Sequence, residues 1–160
     1  QAAIAREQLK KLDKFNAHRI ELVEMLNNSL STHPFLSPPK GRDRCHSTYY
    51  VYPLRFLGHE VGCSREEFVA ALNAEGAQFY QGYVQPLYLQ PLYQRQELFK
   101  YGYPFSAPEN DNHTGCYEKG NCPIAEMLHL YQMIINEHVR WPHTAKDIDQ
   151  LAEILLKVTG

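Results

Sequence analysis

The sequence predicts an α+β domain, an α/β sandwich in which a small sheet of three or four strands carries helices mainly on one face, with a long helix ahead of it. Three observations predict this. Residues 1–30 contain no Gly or Pro and keep an apolar stripe at helical spacing. Short aromatic and β-branched runs recur at 47–57, 77–84 and 133–135. Helix-start signals stand at Ser64, Cys122-Pro123 and Thr144, between or after those runs. The resulting order, helix, strand, helix, strand, irregular segment, helix, strand, helix, suits a two-layer domain.

Each element has its own warrant. In the first helix Ala5, Leu9, Leu12, Ile20, Val23, Leu26 and Leu30 form the stripe, while Lys10, Lys11, Asp13, Lys14, Glu21 and Glu24 supply the solvated side. Its length is about 25–30 residues, or roughly 40 Å. Pro34, Pro38, Pro39 and Gly41 make 32–44 a loop. Ser47–Leu57 reads as a strand, and Pro53 inside it argues for an edge or a bulge. A turn covers 58–63. Ser64 and Glu67 form a capping box, and the helix they open stops at Gly76. A second strand follows over 77–84.

Two Pro-Leu-Tyr triplets, at 86–88 and 91–93, then hold Tyr88 and Tyr93 on backbone stiffened by proline. The polar stretch 102–120 is a long loop of the kind that often carries function. Pro123 opens a helix whose expected apolar face is Ile124, Met127, Leu128 and Tyr131. Met133–Ile135 is a short buried strand. Thr144 caps the last helix with Asp147 at its third position, and Ile148, Leu151, Ala152, Leu155 and Leu156 form its stripe. The expected organisation is one domain over 1–160, with a linking helix over 1–31 and an α/β body over 45–160.

Composition excludes several classes. The chain has 160 residues, 44% hydrophobic and 21% charged, the balance of a folded domain. A net charge of −2 offers no basic surface for a phosphate backbone, so nucleic acid is not an expected partner. No apolar run spans a bilayer, so no membrane role is expected. The four cysteines, at 45, 63, 116 and 122, make no C-x-x-C pair and read as reduced thiols of a cytoplasmic protein. His113, Cys116, Cys122 and His129 lack the paired spacing of a zinc site, and no metal is expected. No nucleophile elbow, dinucleotide fingerprint or phosphate-binding loop occurs. None of the eight lysines lies in an apolar strand-end context suited to Schiff-base chemistry.

What remains is a surface rich in tyrosine. Eleven tyrosines, most of them between 49 and 131, suit either a ligand-facing wall or an ordinary Tyr-rich core. Arg140, in the run His138-Val139-Arg140-Trp141, either clamps a carboxylate or phosphate bidentately or stands as a surface arginine.

Several stretches resemble the C-terminal part of the DegT/DnrJ/StrS family of pyridoxal-phosphate (PLP) sugar aminotransferases. They are QAAIAREQLKKLD, HSTYYVYPLRF, SREEFVAALNAEGA followed by GYVQPLYLQPLYQ, and CPIAEMLHLYQMIINEHVRWPHTAKDIDQLAEILLKV. The resemblance implies the small C-terminal domain of a fold type I aminotransferase. The lysine that anchors PLP would lie in a preceding large domain, so no catalytic residue and no bound PLP are expected for this chain alone. In the full-length protein an amino donor, glutamate or glutamine, would load PLP, and the nitrogen would pass to a keto sugar, usually nucleotide-linked. By motif position Tyr83 and Tyr88, and then His138 and Arg140, would face the substrate.

The alternative is a free-standing binding module for a small molecule or sugar nucleotide, without catalysis. Without the large domain that the resemblance implies, apolar surface on the first helix and around Leu87 and Leu92 should be exposed, and self-association into a homo-oligomer is expected.

Overall fold

The computed structural model describes residues 1–58, 62–96, 99–110 and 117–159. The chain does not open on one unbroken helix. Helix α1 (Ala2–Leu9) and helix α2 (Leu12–Leu30) are separated at Lys10–Lys11, where the Lys11 amide bonds back three residues to the Gln8 carbonyl at 3.0 Å. No residue of α1 is buried, and Ala5, Leu9 and Leu12 of the expected stripe are exposed. The apolar spacing is present there, but among the described residues nothing buries it. Contact begins further on, with Phe15 and His18 against Trp141, and Leu22, Val23, Leu26 and Leu30 enter the core. The core therefore reaches back well ahead of residue 45.

Four antiparallel strands follow in the spatial order β1-β2-β4-β3. Strand β1 (Leu36–Ser37) lies inside the segment expected to be all loop, and pairs with strand β2 (Tyr52–Phe56). Strand β2 is shorter than the expected 47–57, because strand β4 (Met133–Asn136) ends opposite Tyr52 and no described strand pairs with residues 47–51. Pro53 thus sits in an interior strand, yet its position obeys the edge expectation. The Leu57 amide donates to the Phe35 carbonyl, on the β1 side. Alternation places the nitrogens of Arg55 and Pro53 on that side too. Strand β1 stops opposite Arg55, so the proline's missing N–H faces no strand.

Helix α3 (Arg65–Ala74) begins with the expected capping box: the Ser64 hydroxyl accepts from the Glu67 amide, and the Glu67 carboxylate accepts from the Ser64 amide at 3.1 Å. Those bonds to Ser64 hold the Glu67 carboxyl below its ordinary range. The helix closes as a Schellman motif. The Gly76 amide reaches the Asn73 carbonyl at 3.1 Å and the Ala77 amide reaches the Leu72 carbonyl at 2.9 Å, with Gly76 at φ +92°. Strand β3 (Tyr80–Gln81) occupies only the middle of the expected 77–84. Two features bracket it. The Asn73 side chain bonds both the amide (2.7 Å) and the carbonyl (3.0 Å) of Phe79, and the backbone turns at Gly82, φ +62°.

Helix α4 (Pro91–Arg95) follows a single 3-10 turn at Leu87–Leu89. Helix α5 (Pro123–Met127) continues into a π-helical turn, Leu128–Gln132. Here the expected face is inverted. Ile124, Met127 and Tyr131 are exposed, while Glu126 and Gln132 are buried. Periodicity registers polarity, not partners, and both polar residues have partners inside. Gln132 takes two bonds from the Arg55 guanidinium, at 2.9 and 3.2 Å. Helix α6 (Ala145–Thr159) starts as expected, with the Asp147 carboxylate accepting from the Thr144 amide and hydroxyl, each at 2.7 Å.

Tyr52, Leu54, Phe56 and Ile134 on one face of the sheet pack with the apolar residues of α2, α3 and α6. The helices thus lie mainly on one face. The core is tied by a Phe56–Phe68 stack at 4.1 Å and by the Tyr52 hydroxyl, which donates to Asn27 at 2.9 Å. Burial pushes the Tyr52 phenol well above its ordinary pKa. The expected turn at 58–63 and long loop at 102–120 include residues 59–61 and 111–116, which lie outside the described residues. Among the described residues no helix is long and apolar enough to cross a membrane.

Candidate functional site

The four candidate residues occupy three places. Tyr83 follows the turn at Gly82, whose amide donates to the Met133 carbonyl at 2.7 Å and ends strand β3 on β4. Its ring meets Tyr50 edge-on at 6.3 Å, and the Tyr50 hydroxyl donates to the Tyr83 hydroxyl. That bond to Tyr83 raises the Tyr50 pKa, and the nearby Glu137 carboxylate adds to the effect. Tyr83 stays half exposed, so its hydroxyl is open to a polar group brought to it.

Tyr88 stands on the 3-10 turn between Pro86 and Pro91, and its hydroxyl donates to the Glu126 carboxylate. Desolvation, followed by that hydrogen bond, pushes its phenol up to about 12. The same bond is the largest of the effects holding Glu126 below the usual carboxylate range. Beside this pair lies a cavity of about 540 Å³ lined by Gln85, Pro86, Gln94, Lys119, Glu126 and His129, among others.

His138 and Arg140 lie on the connection from β4 to α6. The buried Asn136 accepts from the His138 amide at 2.7 Å and donates to the Ala77 carbonyl at 2.9 Å, which pins the connection to the end of α3. The His138 and His143 rings meet edge-on at 5.7 Å, and both line a cavity of about 410 Å³ beside Asp147. The Arg140 side chain is exposed, while its amide and carbonyl are used within the turn. Tyr50 links two of the places, since it touches Tyr83 and senses Glu137, the neighbour of His138.

The sequence reading passed over Glu126. One signal marks it: it is the only Asp, Glu, Lys or Arg between Pro123 and Asn136, and a lone charge in such a run needs an internal partner once buried. Of the four residues weighed for metal, His113 and Cys116 lie outside the described residues. Cys122 is an exposed free thiol. Among the described residues no group of three or more His, Cys, Asp or Glu side chains could hold a metal ion.

The same arrangement, a leading helix followed by a four-stranded antiparallel sheet backed by helices, superposes on part of several solved aminotransferases. An aminotransferase, TlmJ, from Streptoalloteichus hindustanus superposes with a TM-score of 0.71 at 21% identity, over 99% of this chain and 35% of its own. The aminotransferase from Psychrobacter cryohalolentis gives 0.73 at 17%, over 99% and 38%. Helicobacter pylori PseC, an aminotransferase of pseudoaminic acid biosynthesis, gives 0.69 at 20%, over 99% and 36%. The chain therefore spans a little over a third of the length of the structures it matches. A family sequence model matches residues 1–108, and the chain belongs to the DegT/DnrJ/EryC1/StrS aminotransferase family. No curated protein matches it by sequence.

Family membership implies PLP. A lysine that holds PLP covalently is desolvated so that its amine can lose its proton. All eight lysines of this chain are exposed. The residues present do not fit the covalent anchor, and no step of PLP chemistry is assigned to them.

Proposed function

We propose that residues 1–160 form the C-terminal small domain of a PLP-dependent sugar aminotransferase and wall one side of its keto-sugar pocket. The family match over residues 1–108 carries this reading. In it the chain binds and orients, while the anchoring lysine belongs to a larger domain, so the isolated chain does not transaminate. Tyr83 hydrogen-bonds the sugar through its half-exposed hydroxyl, which also bonds Tyr50. Tyr88 borders the same substrate. Arg140 clamps a phosphate of a nucleotide-linked substrate, with His138 beside it. Glutamate or glutamine is the amino donor, and the working protein is a cytoplasmic homo-oligomer. Exposed Ile4, Leu9, Leu87 and Leu92 support that association.

The test uses the complete polypeptide loaded with PLP. Nitrogen from 15N-labelled glutamate or glutamine is expected in an amino sugar formed from a nucleotide-linked keto sugar, read by mass spectrometry. Failure to label any sugar across a panel of nucleotide-linked keto sugars overturns the reading.

A further inference from the structure

We propose that Glu126 is a positioning residue: its buried carboxylate holds Tyr88 by the phenolic proton and thereby presents Tyr88 to the sugar as a hydrogen-bond acceptor. This rests on the function proposed above and adds the polarity of one contact to it. A phenol has one proton and two lone pairs. With the proton committed to Glu126 and one lone pair taken by a backbone bond from Cys122, Tyr88 has a single lone pair to offer, so its substrate partner must be a donor such as a sugar hydroxyl. A keto oxygen cannot fill that place.

The geometry around Glu126 suits a fixed anchor. The residue is 7% exposed, and a carboxylate so buried needs several donors. It has them in the Tyr88 hydroxyl and the Gly120 amide, the latter at 2.6 Å, with a further backbone bond from Cys122. Bonds to a charged acceptor are roughly twice as strong as neutral ones. Glu126 therefore joins three segments: the 3-10 turn at Leu87–Leu89, the end of the loop at Gly120, and helix α5. A second tie joins the first two of these independently, since Gln94 donates to the Tyr88 carbonyl at 2.7 Å and the Tyr117 carbonyl at 2.6 Å. Losing the carboxylate should loosen the aim of Tyr88 without detaching the segment.

The experiment compares Glu126→Ala, Glu126→Gln, Tyr88→Phe and the Glu126→Ala/Tyr88→Phe double variant in the complete PLP-loaded enzyme. KM is measured separately for the keto sugar and the amino donor, and amide exchange is followed by mass spectrometry. Glu126→Ala and Tyr88→Phe should each raise the keto-sugar KM about tenfold, the scale of one hydrogen bond, and leave the amino-donor KM unchanged. The double variant should be no worse than either single one, because both remove the same contact. Glu126→Gln keeps an acceptor oxygen and should recover part of the loss. Additive losses, or equal losses for both substrates, overturn the proposal. Amide exchange separates its failure from that of the aminotransferase reading. Faster exchange around Gly120 and 87–89 in Glu126→Ala, in a protein that transaminates no sugar, sinks the reading and leaves the holding role standing. Unchanged exchange there overturns the holding role whatever the activity.

Discussion

The layer of α2, α3, α6 and the sheet contrasts with the wall running from Tyr80 through α5. The layer is held by apolar burial, with Leu26, Leu54, Leu72 and Leu155 fully out of water. The wall keeps Tyr80, Tyr83, Val84, Leu87 and Ile124 exposed, and buries Glu126 and Gln132 in their place. One region is fastened by area and the other by a few polar ties. Removing a contact should therefore cost stability in the layer and aim in the wall.

The largest break in that contrast comes from the core. Leu26→Ala should destabilise the chain by about 2–5 kcal/mol in urea unfolding, whereas Leu87→Ala, 68% exposed in the wall, should stay within about 0.5 kcal/mol. Equal costs would erase the distinction. Next is the hinge of the wall, Gly82. Its φ of +62° disfavours a side chain, and an added Cβ would meet the His129 carbonyl at 3.0 Å and Nδ1 at 3.1 Å. Gly82→Ala should cost more than about 1 kcal/mol, with lost protection of the Gly82 amide, which donates to the Met133 carbonyl, as the local signature. Ser64→Ala removes the cap of α3 and should cost about 1 kcal/mol by the same unfolding assay.

A pH dependence sharpens the comparison from the layer's side. His33 Nδ1 accepts from the Phe35 and Leu36 amides, each at 3.2 Å, so Nε2 carries the proton toward Thr159 Oγ1 at 2.8 Å. Burial lowers the His33 pKa from its ordinary value of 6.5. The unfolded chain then takes up a proton, between that value and the lowered one, that the folded chain refuses. Stability contributed by neutral His33 is present above pH 6.5 and is lost as pH falls through the window beneath it. The urea midpoint should drop between pH 7.5 and 5.5, and His33→Gln should flatten that drop. An identical slope in the variant would count against the assignment. The smallest effect belongs to Lys157→Ala, which breaks a surface pair with Glu75 at 2.6 Å. Because both side chains are well exposed, the cost should stay under about 1 kcal/mol and shrink further in salt.

The same contrast explains what the sequence reveals. The Ser64–Glu67 and Thr144–Asp147 caps are legible because both partners sit three residues apart and the bond is local. Strand β4 is legible as an apolar run. The break at Lys10–Lys11 is not, because the stripe through Leu9 and Leu12 satisfies helical spacing whether or not anything packs on it. Burial of Glu126 is equally hidden. Its partner Tyr88 lies 38 residues away, and no periodicity encodes a contact at that distance. Strand β1, two residues between prolines, is too short to leave a pattern. For the site, motif position gives Tyr83 and Tyr88 as candidates but not their partners, Tyr50 and Glu126.

Pro53 has one more consequence. Past Ser37 no described strand pairs with β2, and an extended segment from another molecule that displaced the neighbouring chain at Pro39–Lys40 would meet Pro53 there. The pyrrolidine ring withdraws the amide that such an intruder would need first. The residue that departs from ordinary strand chemistry thus disfavours such pairing, and it does so where a missing donor costs the native sheet no hydrogen bond.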